Sequence, residues 1–417
     1  MRKKIIVKGP FRSRSGYGEQ ARFALRALRS REDIFDIYAL DIPWGSTGNV
    51  SEDTAEKNWI DFLVQKTINH TQGQGAPFDM TLQVTIPGEF EVGGAPYNVG
   101  YTAGAETNIV SAQWLQKINQ MNRIITTSEH TKKSILNSSY NITDTQTGQD
   151  KGLLMAQPHI EAVNYPVKKI KPKKVDLELK HDFNFLIVAQ WCPRKNLENT
   201  ISWFVEEFRD DEVGLVIKTN TAKNSTMDHD FTTRKLDNLL TSLGERTCSV
   251  YLLHGDMTDE ELTGLYIHDQ IKAMVSLTHG EGFGLPLFEA AYNGLPIIAP
   301  GWSGHIDFLS APVKGKVIEH YTVVEHEVAP IHPEAVWPGV LEAASQWCYP
   351  DKKSYKRGLR DIFKNYKDKI KMSKRLKGYI LRNWEEKKIY KTFVEALGIE
   401  LDTSPEESTD EEVLVFD

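Results

Sequence analysis

At 417 residues and 40% hydrophobic content, the chain is long enough for two or three domains with buried cores. Cys192, Cys248 and Cys348 are few, odd in number and far apart, which excludes a disulfide framework, and no Cys/His spacing reads as a zinc site. The formal net charge of −7 is uneven: residues 1–31 hold ten Lys and Arg against one acid, residues 351–391 sixteen against five, and residues 400–417 eight acids and no base.

Lys3 to Lys8 reads as a buried strand. Gly9 to Gly18 reads as a loop rich in glycine and arginine, and Glu19 to Leu28 as a helix with apolar Ala21, Ala24, Leu25 and Leu28 on one face. Strand, loop with Gly16 and Gly18, then helix is the opening of a nucleotide-binding α/β domain, with Arg12 and Arg14 either in reach of a phosphate or merely solvated. Ile34 to Leu40 is a second strand, ended by Asp41-Ile-Pro-Trp-Gly45, and residues 46–76 are polar without a clear element. Further strands run over Met80–Ile86, Tyr97–Thr102 and Arg123–Ser128, with Glu129 opening a helix. Open α/β sheets bind ligands at loops after strand C-termini, which puts Glu89, Glu106, Ser128 and His130 in view of one cleft. Glu106 is the foremost of these as a site residue, or else a helix-start carboxylate, and His130 reads as a helix-start surface residue.

Lys168 to Lys174, charged and broken by a proline, is the natural start of a linker. A second domain opens with a strand at Phe183–Ala189, followed by Gln190-Trp-Cys-Pro-Arg-Lys-Asn196 and a helix carrying Leu197, Ile201, Phe204 and Phe208. Strands at Val213–Lys218, Ser249–Leu253 and Ile271–Leu277 alternate with helical stretches at 230–243 and 258–267, which implies a second parallel sheet. Then comes Glu281-Gly-Phe-Gly-Leu-Pro286. Gly280, Gly282 and Gly284 permit a tight turn and close approach to a ligand, Pro286 suits a first helical turn, and Gly294 suits the residue past its end. The N–H groups of Phe283, Gly284 and Leu285 are orphan donors at a helix start, where an anion is favoured. Glu281 lies on the loop and Glu289 inside the helix. Two carboxylates flanking a phosphate-type site suit a ligand with a diphosphate and several hydroxyls. Another glycine turn follows at Gly301-Trp-Ser-Gly-His305.

Glu281, seven intervening residues and Glu289, within this loop and followed by Gly294-Leu-Pro-Ile-Ile-Ala299, resemble the donor signature of retaining glycosyltransferases of the large group-one class. The resemblance implies the GT-B fold, two Rossmann-like domains facing across a cleft. The expected boundaries are an acceptor domain at 1–167, a linker at 168–180, a nucleotide-sugar domain at 181–370, and a helical segment at 371–399 returning to the first domain. An acidic disordered tail is expected at 400–417. It also implies roles. Glu289 would hold ribose hydroxyls, and Glu281 a sugar hydroxyl and the charge on the anomeric carbon. Lys195, Arg194 and the 283–285 N–H groups would hold the leaving diphosphate, bordered by Gly16, Gly18 and Gly304. Glu106, with Trp114 eight residues on, matches the first domain's pattern. The family's arginine directly after the strand is Gln190 here, which leaves Arg194 as its substitute. No metal or cofactor is implied beyond a nucleotide-sugar co-substrate, UDP-linked by preference.

A weaker resemblance, carried by Ser13-Arg-Ser-Gly-Tyr-Gly18, Ile86-Pro-Gly-Glu89, Thr102-Ala-Gly-Ala-Glu-Thr107 and Thr127-Ser-Glu-His-Thr131, is to glycosyltransferases encoded by tailed phages. With the basic residues 1–31, it suggests a hydroxymethylated pyrimidine in DNA as acceptor. The alternatives are a polysaccharide, glycolipid or protein glycan as acceptor, a sugar-nucleotide epimerase, or a non-catalytic binder. No apolar run approaches a bilayer span, and a cytoplasmic protein without integral membrane association is expected.

Overall fold

The computed structural model describes residues 2–399 apart from 46, 105, 144–146 and 148, so the expected disorder of 400–417 lies outside the described residues. The first half contains β1 (Lys3–Gly9), α1 (Gly16–Arg29), β2 (Phe35–Asp41), α2 (Ala55–Gln72), β3 (Met80–Val84), β4 (Tyr97–Thr102), α3 (Ala112–Ile118), β5 (Arg123–Thr126) and α4 (Glu129–Leu136). A hairpin of β6 (Tyr140–Thr143) and β7 (Asp150–Leu154) precedes β8 (His159–Ala162). Six parallel strands form one sheet in the order β2-β1-β3-β4-β5-β8.

The second half repeats the plan with β9 (Asn184–Val188), α5 (Leu197–Phe208), β10 (Gly214–Lys218), α6 (Thr226–Ser242), β11 (Ser249–Leu253), α7 (Asp259–Tyr266), β12 (Ile271–Val275), α8 (Leu285–Asn293), β13 (Ile297–Pro300) and α9 (Ile306–Leu309). After the hairpin β14 (Ser310–Val313) and β15 (Lys316–Glu319), β16 (Thr322–Val324) completes a parallel sheet of order β11-β10-β9-β12-β13-β16. In both sheets the strand order reverses beside the first strand of the half. The loops after β1 and β9 therefore open at switch points, where such sheets take ligands.

Helix α1 begins at Gly16, three residues earlier than the apolar spacing suggests, because Ser15 caps it by accepting a hydrogen bond from the Gly18 N–H. Gly16 and Gly18 thus belong to a helical turn rather than a flexible loop. The stretch left without an element holds α2, capped by Thr54 and burying only Ile60, Leu63 and Thr67.

A second antiparallel pair, β17 (His326–Pro330) and β18 (Gln346–Pro350), leads into α10 (Lys352–Lys364), α11 (Tyr366–Asn383) and α12 (Glu386–Ala396). Helix α11 lies on α8, where Ser373 Oγ donates to the Gly294 carbonyl at 2.8 Å. The chain crosses at Trp384, later than residue 371, and α12 packs on α1. Fully buried Phe393 meets Phe23 and Tyr101 edge-on, each at 5.1 Å between centroids. Burying such a side chain contributes on the order of 2–3 kcal/mol. One apolar core runs from Ile5 through Tyr165 and Phe283 to Phe393, joining the halves below the cleft.

Two polar ties flank that core. Lys168, in the stretch without helix or strand between the sheets, reaches Glu19 at 2.9 Å on the first half and Asp259 at 3.1 Å on the second. On the opposite side, the segment from β17 to β18 reaches back to the first half. There Asn108 and Gln346 exchange hydrogen bonds of 3.1 and 2.8 Å, and Ser111 Oγ donates to the Gly339 carbonyl.

Candidate active site

A cavity of about 520 Å³ lies between the C-terminal edges of the two sheets. From the second half come the loop 190–195, the end of β10, and the turn and helix start at 281–289. The first half supplies the β1–α1 loop, residues 44–48, and Ala103, Glu106 and Thr127. Glu106, Arg194, Lys195, Glu281, Gly282, Phe283, Gly284, Leu285, Glu289 and Gly16 all line it. Gly18 and Gly304 do not. Gly18 is buried against the Ser13 carbonyl, and the Gly304 N–H donates to the Glu281 carbonyl at 2.9 Å.

The three motif glycines differ in purpose. Gly284 sits at φ +95° as the left-handed cap of α8, a conformation that only glycine adopts freely. Gly280 and Gly282 instead admit the first half: an added Cβ would stand 2.2 Å from the Glu106 carbonyl oxygen and 2.7 Å from that of Ala103. The close approach expected toward a ligand is, at these two, an approach between halves. Ser128 Oγ donates to the Gly282 carbonyl at 2.5 Å, and half-buried Asp307 accepts from the Glu129 N–H and Asn164 Nδ2, each at 2.9 Å.

At the centre is a four-member charge network. Lys195 Nζ stands 2.5 Å from Glu281 Oε1, while Arg194 spans the cleft, with Nη2 3.0 Å from Glu106 Oε1 and Nη1 3.4 Å from Glu281 Oε2. Arg194 Nη1 also donates to the Gly280 carbonyl at 2.7 Å. Burial alone would raise Glu281, but Lys195 and then Arg194 outweigh it and hold the carboxyl down at about 2. Glu289, at the far end of the cavity, behaves oppositely. Burial pushes it up to about 7, against the pull of Lys168, and the Tyr266 hydroxyl donates to its Oε2 at 3.0 Å. Two carboxylates eight residues apart therefore sit in opposed environments. Gln190 lines the cavity and donates to the Thr221 carbonyl at 3.0 Å, and the cations beside Glu281 are Arg194 and Lys195.

Other expectations are redistributed. Arg12 turns away to Asp61 at 2.8 Å, and Arg14 lines the cavity while paired with Glu52. Glu89 accepts from Thr85 and lies away from the cavity. His130 is half-buried rather than free on the surface: it meets Trp302 of the second half edge-on at 4.7 Å, and burial lowers it to about 4. Sequence reasoning missed Lys218, which ends β10 at the cavity, donates to the Gly255 carbonyl at 2.6 Å and is lowered by burial. Its position at the C-terminal end of a buried strand was the available signal. It also missed Tyr17 and Trp44, whose rings meet 4.3 Å apart at the cavity wall. Among the described residues, no group of three His, Cys, Asp or Glu is placed to hold a metal, and no helix is long and apolar enough to cross a membrane.

Of the ten cations in residues 1–31, eight are ion-paired: Arg2, Lys8, Arg12, Arg14, Arg22, Arg26, Arg29 and Arg31. Their partners are Glu19 within this stretch, the adjoining Glu32 and Asp33, and more distant acids such as Asp36, Glu52, Asp61 and Glu91.

No protein-family model and no curated protein sequence matches the chain. Solved structures do. A sucrose-phosphate synthase from Thermosynechococcus elongatus superposes with a TM-score of 0.62 at 12% identity, over 94% of this chain and 98% of that one. Anabaena HepE in complex with UDP and glucose gives 0.58 at 13%, over 95% and 100%. A lipopolysaccharide outer core galactosyltransferase, WaaB, gives 0.54 at 13%, over 95% and 99%. At such identities the likeness speaks for architecture, and with the two six-stranded parallel sheets it shows that this chain has the GT-B fold.

Proposed function

We propose that the protein is a retaining glycosyltransferase that moves a sugar from a nucleotide-diphosphate sugar, UDP-linked by preference, to an acceptor hydroxyl. The observation that carries this reading is the placement of Arg194, Lys195, Glu281 and Glu289 around the N-terminus of α8 in one cavity. That HepE, of the same fold, is solved with UDP-glucose supports the choice of donor. Glu289 accepts from ribose hydroxyls and Glu281 from a sugar hydroxyl. Lys195, Arg194 and the N–H groups of residues 283–285 stabilise the leaving diphosphate as its charge grows. The anomeric carbon–phosphate oxygen bond breaks as the bond to the acceptor oxygen forms on the same face, and the acceptor proton passes to the leaving diphosphate. Glu106, opposite Glu281, faces the acceptor side. No metal is needed in this scheme.

For the acceptor, a saccharide hydroxyl is the better-supported choice. The DNA reading rested in part on the basic residues 1–31, and eight of those ten cations are already paired. It keeps one observation as a second reading: on α10 and α11, Lys353, Lys364, Lys367, Lys374, Arg375, Lys377 and Arg382 have no ion-pair partner among the described residues. The test is UDP release from UDP-sugars, followed with saccharide acceptors and with hydroxymethylcytosine-containing duplex, with and without chelator. Release that no acceptor stimulates speaks for hydrolysis or epimerase chemistry. Tight UDP binding without turnover speaks for a binder, and loss of activity restored only by a divalent ion overturns the metal-free scheme.

A further inference from the structure

We propose that Trp44, backed by Tyr17, is a stacking platform for the ring of a pyranose acceptor. This rests on the glycosyltransferase reading and names the chemistry of its acceptor side. The two rings lie 4.3 Å apart at 34°, both on the cavity wall, and both come from the half opposite the cations and carboxylates that suit a donor. Tyr17 is fixed from behind: its hydroxyl shares a hydrogen bond of 2.9 Å with Thr102 Oγ1 and accepts from the Ala103 N–H at 3.3 Å. Trp44 is held by its own segment. Its carbonyl accepts from Thr47 Oγ1 at 3.0 Å, Thr47 Oγ1 also bonds to Ser13 Oγ at 2.8 Å, and the Arg14 N–H donates to the Gly48 carbonyl at 2.8 Å.

The outcome is a half-buried indole whose ring contact is Tyr17 and whose N–H has no partner among the described residues. A large aromatic face kept rigid at low entropic cost, with a free donor at its rim and the Thr47 hydroxyl beside it, matches a sugar ring. The C–H face of the sugar lies on the indole, one sugar hydroxyl accepts from the indole N–H, and another donates to Thr47 Oγ1, whose own proton is given to the Trp44 carbonyl. A duplex would need unpaired cations beside this platform, and the two arginines of the neighbouring β1–α1 loop, Arg12 and Arg14, are already paired.

The test uses the full chain and direct binding, so that it does not depend on turnover. Saturation-transfer NMR is recorded with methyl glucoside, galactoside and mannoside, with and without UDP, while UDP affinity is measured by calorimetry. At least one pyranoside is expected to bind the wild type. Trp44→Ala should weaken that binding at least tenfold, Trp44→Phe should keep most of it, and UDP affinity should move less than threefold. Thermal unfolding of both variants checks that they fold. Equal pyranoside binding by Trp44→Ala overturns the platform, as does loss of UDP affinity greater than loss of pyranoside, or a wild type that binds no pyranoside under either condition. A wild type that binds pyranoside but no UDP instead counts against the donor reading and leaves the platform standing.

Discussion

Glu289 is the residue whose setting makes the sharpest claim. Its carboxyl ordinarily ionises near 4.5 and is pushed up to about 7 by burial, so it changes charge across the neutral range. The folded state then holds this proton more tightly than the unfolded chain does. Its contribution to stability is therefore greatest below pH 4.5 and falls as pH rises through 7. UDP affinity should run the other way, rising between pH 6 and 8 as the better acceptor for ribose hydroxyls forms. Glu289→Gln should bind about 1.5–3 kcal/mol more weakly at pH 8 and show a flat profile. Calorimetry across that range checks both, and a flat wild-type profile would contradict the ribose role. Arg194 and Lys195 differ in a measurable way. Lys195→Ala should lower kcat more than affinity, because charge on the phosphate grows as the bond breaks. Arg194→Ala should do the same only if Arg194 leaves Glu106 for the diphosphate in place of the missing arginine at Gln190. Single-turnover rates separate the two.

Among the elements, the turn before α8 shows what the sequence could disclose. Gly284, Pro286 and Gly294 punctuate it locally, so its loop, helix and next strand were readable from residue type alone. That Gly280 and Gly282 serve contact with Glu106 and Ala103 was not readable, because those partners lie far away in sequence. The same limit hid the pairing of Arg12 with Asp61, the packing of His130 against Trp302, and the tilted ring contact of Trp44 with Tyr17. Helix α2 escaped for a local reason: three buried positions in eighteen residues make too narrow an apolar stripe. The glycine argument predicts a contrast. Gly280→Ala must displace a backbone carbonyl and should cost about 1–3 kcal/mol in urea unfolding. Gly16→Ala, with open space around its Cβ, should cost less than about 0.5 kcal/mol.

Across the whole molecule, the halves are joined by a shared core and by ion pairs whose loss cannot be shared out. Glu19 is buried with Arg22, Arg26 and Lys168, and although burial opposes its charge, those three cations together hold it well below the usual carboxylate range. Glu19→Gln would leave Arg26 and Lys168 short of a partner and should destabilise the fold by about 3–5 kcal/mol, read as a shift in the urea midpoint. A loss under about 1 kcal/mol would mean that Glu56 and Asp259 suffice.

The reach of the β17–β18 segment onto Asn108 has a kinetic side. The same segment holds the motif loop, since the Cys348 N–H donates to the His279 carbonyl at 3.1 Å and His279 stacks flat on Trp347. Any widening of the cleft on this side must break the Asn108–Gln346 exchange while tugging on the turn that carries Glu281. Under the proposed glycosyltransferase function, this segment would then govern residence time, with departure of the spent nucleotide as the step that waits for it. Asn108→Ala should raise the UDP dissociation rate in stopped-flow displacement several-fold more than it changes the association rate. A proportionate change in both would place the gate elsewhere.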